Sequence, residues 1–226
     1  MSQAGLKPPP TAVLFDLDGT LIDSAPDLAG TANDMLAARG RTALSYAVLR
    51  PHAGSGARGM IGTAFGLAPG AAGYEALRDE FHDRYEQRML QLTCVFEPVL
   101  RLLDALDERR MPWGIVTNKS LRFAQPLAQA LRLWPRAAVL VGGDSTPHTK
   151  PHPAPLLEAA RRLGREPGQC VYVGDDSRDM QAARAAGMAG WAAAWGYLGL
   201  HAPVQAWRAY AVLAHAEELL QRLELA

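Results

Sequence analysis

The stretch TAVLFDLDGTLIDS, residues 11–24, indicates the fold of this chain. Its apolar run Ala12–Phe15 is typical of a buried strand, and a turn sequence follows directly. In an open α/β sheet, ligands bind beyond the carboxyl ends of the strands, so we expect Asp16 and Asp18 at such a place. Two carboxylates this close repel each other, and keeping both ionised takes a cation or a shared proton. By itself the Asp-x-Asp-Gly pattern is equally consistent with a solvated turn.

Composition narrows the class of protein. The chain has 226 residues, enough for one large domain or for a core domain with a smaller insertion, and 49% of them are hydrophobic. Lys plus Arg equals Asp plus Glu, at 23 each. No basic stripe favours nucleic acid or an anionic membrane, because binding to phosphate backbones relies on clustered Lys and Arg. We therefore expect a small-molecule ligand, and no feature points to a protein partner.

Cysteine usage and the N-terminal sequence predict a cytoplasmic location. Cys94 and Cys170 are far apart and form neither a disulfide framework nor a zinc motif, which is consistent with a reducing compartment. The segment Met1–Pro10 lacks the apolar core of a signal peptide. No apolar run has the length of a membrane span.

A helical segment follows the first strand. Between Asp27 and Arg39 apolar residues recur at helical spacing, and Gly40 is a typical helix stop. Further helices are predicted at 44–52, 57–65 and 74–92, with no strand-like alternation among them. We predict that residues 25–94, called the cap segment below, form a helical domain inserted into a core of residues 11–24 and 95–226.

From residue 98 onward helices and strands alternate. Alternating β and α units predict a doubly wound, mostly parallel sheet of the Rossmann-like α/β class, with helices on both faces. The predicted helices are 99–110, 122–131, 153–163, 177–186 and 216–223, and the predicted strands are 113–116, 137–141, 170–173, 191–194 and 211–213.

Polar residues follow three of these later strands. They are Thr117 with Asn118, the loop that leads to Lys150, and the acidic run from Asp175 to Asp179. Strand ends of a doubly wound sheet converge on one edge, so these groups are expected beside Asp16 and Asp18. The combination is consistent with phosphoryl transfer: Asp16 can attack phosphorus, and an all-oxygen acid cluster suits Mg²⁺. Lys150 and the Thr117 hydroxyl can hold the transferring oxygens.

Four motifs of this chain resemble those of the haloacid dehalogenase superfamily of phosphohydrolases. In order they are DLDGT at 16–20, VTNK at 116–119, KPHPAPL at 150–156 and VGDDSRDMQAARAAGM at 173–188. The resemblance covers nearly the whole core, and the cap segment is similar to the small helical cap of that family. Within the superfamily the chain is similar to bacterial phosphoglycolate phosphatases. Its cap stretches SGARGMIGTAFGL and YEALRDEFHDRYE are closest to the branch that dephosphorylates N-acetylmuramic acid 6-phosphate.

The resemblance implies a role for each site residue. Asp16 would be the nucleophile, and Asp18 would protonate the leaving alcohol and later deprotonate water. Mg²⁺ would be held by Asp16, Asp175 and the backbone carbonyl of Asp18. Asp175 fits the family pattern because it follows Gly174, which leaves Asp176 for a supporting position or for solvent. Asp179 would orient metal-bound water, and the phosphoryl group would be bound by Thr117, Asn118 and Lys150.

The cap segment contains a glycine pattern that needs its own interpretation. Residues 54–59, GSGARG, match GxGxxG, but they follow Arg50-Pro51-His52 and not a strand, so we exclude a dinucleotide site. We expect a flexible loop that faces the site. Arg58 is a candidate contact for an anionic substrate group such as a carboxylate, with a solvated arginine as the equal alternative.

Three alternatives to a phosphatase stay open. A sugar phosphomutase of the same superfamily also uses the aspartate pair. A signalling receiver domain uses an acid cluster, a Thr and a Lys around an aspartyl phosphate, but it lacks a large helical insertion and a DxDGT on its first strand. A non-catalytic phosphoacceptor or metal-binding module is the third. The expected substrate of the enzyme is a small phosphorylated metabolite.

Overall fold

A six-stranded sheet forms the centre of the structure, a computed structural model that describes residues 9–200 and 202–223. The strands of the chain are β1 (Ala12–Phe15), β2 (Ile22–Asp23), β3 (Cys94–Val95), β4 (Trp113–Val116), β5 (Val139–Val141), β6 (Cys170–Gly174), β7 (Ala189–Ala193) and β8 (Ala211–Leu213). The large sheet has the order β5-β4-β1-β6-β7-β8, and each of its pairings is parallel. This confirms the predicted α/β class.

Helices cover both faces of this sheet. They are α1 (Ala25–Ala37), α2 (Tyr46–Leu49), α3 (Gly56–Phe65), α4 (Tyr74–Arg88), α5 (Glu97–Glu108), α6 (Leu121–Ala130), α7 (Ala154–Leu163), α8 (Ser177–Ala185) and α9 (Glu218–Arg222). Alternate residues of a strand point to opposite faces. Accordingly Val13 of β1 lies in the larger core with α5 and α6, and Leu14 lies in the core with α7 and α8.

The central position of β1 follows from its composition. All four of its residues are buried, as expected of a strand covered on both faces. Val13 is aligned with Trp113 of β4 on one side and with Val171 of β6 on the other. The chain leaves β1 in the middle of the sheet, so Asp16 emerges between the ends of two neighbouring strands.

Two helix boundaries in the cap segment differ from the prediction. The helix predicted for 44–52 is divided into α2 and a 3₁₀ segment, Arg50–Ser55, where Pro51 has no backbone N–H to donate. The helix predicted for 74–92 ends at Arg88. It ends early because the carboxylate of Asp27 in α1 accepts hydrogen bonds from the backbone N–H groups of Leu92 (3.0 Å) and Thr93 (2.8 Å).

The sequence did not indicate the short pair of strands at the base of the cap segment. β2 and β3 pair in antiparallel orientation, with Ile22 opposite Val95 and Asp23 opposite Cys94. Strands of two residues carry too little pattern to be recognised. The chain thus enters and leaves the helices α1–α4 at one place, although the domain boundaries themselves stay a prediction.

The terminal and hydropathy predictions have different outcomes. The absence of a signal peptide was predicted from residues 1–10. Residues 1–8 of this segment lie outside the described residues. In the described part of the chain, no helix combines the length and apolar character that crossing a membrane requires.

The buried carboxylate of Asp27 yields a test of how the cap segment is attached. Replacing Asp27 with Ala should lower the free energy of unfolding by about 2–4 kcal/mol, because two backbone N–H groups and the Thr93 hydroxyl lose their acceptor. Urea denaturation measures this. Asp34→Ala, on the exposed side of the same helix, is the matched control and should cost less than about 1 kcal/mol. Equal effects of the two substitutions would contradict the attachment role.

Candidate active site

The carboxyl ends of β1, β4 and β6 bring four predicted residues together. Asp16 follows β1, Thr117 follows β4 and Asp175 follows β6, while Lys150 comes from the long loop after β5. The Lys150 ammonium lies 2.9 Å from Asp16 Oδ1, although 134 residues separate them in the chain. The predicted convergence of these strand ends is therefore present in the structure.

Lys150 is the most heavily contacted cation of this site. Its ammonium is buried and pairs with Asp16 and, at 2.8 Å, with Asp179. It also donates to the Val116 carbonyl at 3.0 Å and to the Tyr172 hydroxyl at 2.6 Å. Burial alone would lower the pKa of Lys150, but the two carboxylates outweigh it and raise the pKa above its usual value. The side chain is held charged and fixed.

Tyr172 is a residue of the site that was not predicted. It lies in the middle of β6, where its pattern is that of any core aromatic residue. Its hydroxyl donates to the Val116 carbonyl at 2.8 Å and lies 3.3 Å from Asp179 Oδ1. A buried tyrosine hydroxyl usually has a hydrogen-bond partner, so a polar contact of Tyr172 could have been expected. The sequence does not indicate which residue that partner is.

Three carboxylates form a cluster that could hold a metal ion. Asp16, Asp175 and Asp179 each offer an oxygen, and these oxygens lie within 4.8 Å of one another. Burial, opposed by Lys150 and assisted by Asp179, raises the pKa of Asp16 to about 7. Burial and the charge of Asp16 raise the pKa of Asp175 well above its usual range. Against one ammonium, three ionised carboxylates leave two excess negative charges, which match a divalent cation with all-oxygen ligands.

Two glycines make room for Asp175. A Cβ atom on Gly19, whose φ is +82°, would lie 2.2 Å from Asp175 Oδ2, and one on Gly196 would lie 2.2 Å from Asp175 Cβ. The carboxylate itself accepts hydrogen bonds from the Thr20 hydroxyl at 3.0 Å and from the Tyr197 backbone N–H at 2.7 Å. Because Gly19 of the DxDG pattern has no side chain, the carboxylate of Asp175 fits beside it.

Asp18 lies outside the three-carboxylate cluster and has different partners. Its Oδ1 is 3.1 Å from the Lys119 ammonium and accepts a short hydrogen bond from the Ser24 hydroxyl. Lys119 in turn donates to the hydroxyl of Tyr85 in α4 at 2.8 Å. Burial would lower the pKa of Lys119, yet the charges of Asp18 and Tyr85 raise it. The predicted contribution of Asp18 to a metal site, through its backbone carbonyl, stays a prediction.

Lys119 is the last residue of the VTNK motif, but no contact was predicted for it. Nothing in the sequence relates it to Tyr85, to which no role was assigned. In the structure Tyr85 is buried, and the Lys119 ammonium lies 4.5 Å from the centre of its ring. The cap segment therefore reaches the acid pair through a cation and an aromatic ring.

Thr117 and Asn118 have distinct positions. Thr117 is buried, lines the cavity at the site, and accepts a hydrogen bond from the Lys119 backbone N–H at 3.1 Å. The amide of Asn118 pairs with the backbone of Lys150 at both its carbonyl and its N–H, each at 2.9 Å. Its side chain thus fixes the loop that carries Lys150.

The two neighbouring acids after Gly174 separate clearly. Asp176 is the N-cap of α8, where its Oδ1 accepts from the Arg178 backbone N–H at 2.9 Å. Although burial acts in the opposite direction, its ion pair with the Arg178 guanidinium lowers the pKa of Asp176. Asp176 lies outside the three-carboxylate cluster, and Arg178 continues across the cleft to the Gly54 carbonyl at 2.7 Å.

A cavity of about 370 Å³ lies between this cluster and the cap segment. Arg58 lines it, is exposed, and forms no hydrogen bond or ion pair with another described residue. The glycine pattern at 54–59 leads from the 3₁₀ segment into α3, so the strand that a dinucleotide motif requires does not precede it. The cap side also contains a second guanidinium, that of Arg78. Aromatic side chains and an imidazole lie there too: Tyr74, Phe81, His82 and Tyr85, with Phe123 of the core in the same lining.

Comparison with known proteins identifies relatives across most of the chain. The family model of haloacid dehalogenase-like hydrolases matches residues 10–187. A phosphoglycolate phosphatase of Xanthomonas campestris pv. campestris (strain 8004) is 50% identical over 188 residues, which cover 83% of this chain and 85% of that protein. An N-acetylmuramic acid 6-phosphate phosphatase of Pseudomonas putida KT2440 is 40% identical over 215 residues, covering 95% and 96%.

A solved structure has the same fold. The crystal structure of a predicted phosphoglycolate phosphatase from Haemophilus somnus 129PT superimposes with a TM-score of 0.82 at 26% sequence identity. The match covers 94% of this chain and 97% of that one. The similarity therefore includes the cap segment as well as the sheet.

Proposed function

The chain belongs to the haloacid dehalogenase-like hydrolases, and on this basis we propose that it is a Mg²⁺-dependent phosphatase that hydrolyses the phosphate monoester of a small metabolite. The observation that supports this most is the array in which Lys150 joins Asp16 to Asp179 beside a third carboxylate, Asp175. This array offers a nucleophile, a cation for the phosphoryl oxygens and an oxygen-rich metal site at one strand edge.

In the proposed first step an oxygen of Asp16 attacks phosphorus. The bond from phosphorus to the ester oxygen breaks, and the leaving alkoxide takes a proton from Asp18, which yields the alcohol and a phosphorylated Asp16. The Lys150 ammonium and the Thr117 hydroxyl hold the phosphoryl oxygens while charge develops on them. Asp18 is suited to this role because its carboxylate lies apart from the three-carboxylate cluster, at the cavity.

In the second step water attacks the phosphorylated Asp16. Asp18, now ionised, accepts the proton of the water, the acyl phosphate bond breaks, and inorganic phosphate and the free Asp16 carboxylate result. The same carboxyl group thus acts as an acid and then as a base. Lys119, whose ammonium lies 3.1 Å from Asp18 Oδ1, helps to hold this carboxyl group in place in both steps.

The residues that would hold Mg²⁺ are Asp16 and Asp175 with the backbone carbonyl of Asp18, and Asp179 would orient water at the metal. The charge balance of the cluster and its all-oxygen donors fit Mg²⁺. When bound, Mg²⁺ neutralises the substrate phosphate and offsets its repulsion with Asp16.

A sugar phosphomutase of the same superfamily is the second candidate, because it would use the same acid pair. The two activities differ in their product: a phosphatase releases inorganic phosphate, and a mutase isomerises a sugar phosphate. Release of phosphate from p-nitrophenyl phosphate would also exclude a non-catalytic phosphoacceptor or metal-binding module.

We further propose residues 25–94 as the domain that selects the substrate. The relatives carry the names of two substrates, phosphoglycolate and N-acetylmuramic acid 6-phosphate. A cavity of about 370 Å³ lies in the range that holds drug-sized ligands and is large for a two-carbon acid. Its aromatic cap side suits a sugar ring, and the unpaired guanidinium of Arg58 suits a carboxylate. These features favour the phosphorylated sugar acid.

The nucleophile assignment has a direct test. Asp16→Asn should lower kcat by about 10⁴-fold or more while leaving the fold intact, because the amide cannot form the acyl phosphate. Phosphate release and circular dichroism measure the two properties. Asp104→Asn, which removes an exposed carboxylate on α5 far from the cavity, is the control and should retain full activity. Substantial turnover by the Asp16 variant would overturn the mechanism.

The metal proposal predicts a response of both activity and stability. Chelation should stop turnover reversibly, and added Mg²⁺ should raise Tm of the wild type because a ligand that binds only the native state stabilises it. Asp175→Asn should abolish the Tm response. Asp176→Asn is the neighbouring control and should keep it, because Asp176 lies outside the three-carboxylate cluster. Turnover that persists in excess chelator would contradict the proposal.

The substrate proposal rests on kcat/KM measured for both esters. We expect N-acetylmuramic acid 6-phosphate to exceed phosphoglycolate by more than about 100-fold, which corresponds to about 2.7 kcal/mol of differential transition-state binding. Arg58→Gln should lower kcat/KM for the sugar acid by about tenfold and leave glucose 6-phosphate, which has no carboxylate, almost unchanged. Arg161→Gln, on the exposed side of α7, controls for loss of surface charge. The reverse preference would assign the chain to phosphoglycolate.

A further inference from the structure

Tyr197 contacts two parts of the site, Asp175 and the segment 23–25, that are at least 150 residues apart in the chain. It follows β7 and is buried. Its backbone N–H donates to Asp175 Oδ2 at 2.7 Å, so its main chain is fixed at the three-carboxylate cluster. Its phenol extends to the other connection of the site, where β2 passes into α1.

The phenol oxygen acts as the cap of α1. It accepts hydrogen bonds from the backbone N–H groups of Ser24 at 2.8 Å and Ala25 at 3.0 Å, and it donates to Asp23 Oδ1 at 3.0 Å. The first N–H groups of a helix have no partner within the helix and need an external acceptor. Here that acceptor comes from the loop that follows β7.

This arrangement changes what Ser24 does. A serine at the N-cap position ordinarily accepts a hydrogen bond from its own helix with its hydroxyl. Ser24 occupies the N-cap of α1 but forms no such bond. Its hydroxyl donates instead to Asp18 Oδ1. The phenol of Tyr197 thus holds the backbone of Ser24, while the Ser24 hydroxyl, 3.5 Å from the phenol oxygen, holds the carboxylate of Asp18.

We propose that Tyr197 is a positioning residue for Asp18, which it fixes by holding the backbone of Ser24 at the start of α1; this rests on the proposed function, in which Asp18 is the proton donor. Without the phenol, the Ser24 N–H loses its acceptor and the Ala25 N–H keeps only Asp23 Oδ1 at 3.2 Å, so the segment 23–25 shifts to satisfy the Ser24 N–H. That shift moves Ser24 away from Asp18. The proton donor then has one fixed partner fewer, while Asp16 and the metal cluster keep theirs.

Tyr197→Phe tests this without disturbing the cluster. The variant keeps the backbone N–H that holds Asp175 and the ring that lies 5.2 Å from the Arg50 guanidinium. The alkoxide of an alkyl phosphate is a poor leaving group and needs a proton as it departs. The p-nitrophenolate of the aryl ester is a good leaving group and needs none. We expect kcat/KM to fall by about 10- to 100-fold for N-acetylmuramic acid 6-phosphate or phosphoglycolate, whichever the wild type hydrolyses faster. For p-nitrophenyl phosphate it should fall by less than about threefold.

A second variant and a matched control make the result decisive. Ser24→Ala should show the same dependence on the leaving group, and the double variant should be no worse than the more impaired single variant, because both act through one contact. Tyr210→Phe removes the hydroxyl of an exposed tyrosine and should change kcat/KM for neither substrate. If Tyr197 had a merely structural role, less folded protein or weaker metal binding would lower kcat/KM equally for both substrates.

The outcomes separate this proposal from the proposed function. Equal slowing of the alkyl and aryl esters by Tyr197→Phe, with an active wild type, would overturn the positioning role alone. Additive losses in the double variant would overturn it as well. A wild-type chain that releases phosphate from neither ester would overturn the proposed phosphatase itself.

Discussion

The candidate site depends on one buried ammonium, that of Lys150. Carboxylates that are withdrawn from water and crowded together are unstable unless a positive charge is placed among them. Lys150 contacts two of the three acids at 2.9 and 2.8 Å. Its backbone is held on both sides by Asn118, and its ammonium donates to groups of β4 and β6. The sheet thus fixes the charge, and the charge fixes the acids.

The two aspartates of the DxDG pattern are supported in different ways. Asp16 is held by the sheet and by Lys150, which are parts of the core. Asp18, two residues later, is held by Ser24 at the entrance to the cap segment and by Lys119, which contacts Tyr85 of that segment. The carboxylate proposed as the nucleophile is therefore held independently of the cap segment, whereas the carboxylate proposed as the proton donor is held partly by it. The turn at residues 16–18 thus carries one carboxylate held by the core and one held partly by the cap segment.

Local sequence patterns predicted the parts of the structure that local forces determine. The apolar run of β1, the alternation of helices and strands after residue 98, and the polar residues at Asp16, Thr117 and Asp175 all have neighbours in sequence that reveal them. Partners that lie far apart in the chain could not be predicted. Tyr172, Lys119 and Tyr197 have no distinguishing local pattern, since their roles come from atoms more than 30 residues away. The early end of α4 has the same cause, a distant carboxylate.

The short antiparallel ribbon of β2 and β3 has a consequence for how such enzymes diversify. Because Asp23 lies opposite Cys94, the intervening helices start and finish at adjacent points. An insertion whose two ends are adjacent places no tension on the sheet that carries it, whatever its length or sequence. A lineage can therefore exchange or remodel these helices while the parallel strands keep their register. If residues 25–94 select the substrate as proposed, selectivity can evolve there while the sheet that carries the proposed catalytic residues is inherited unchanged.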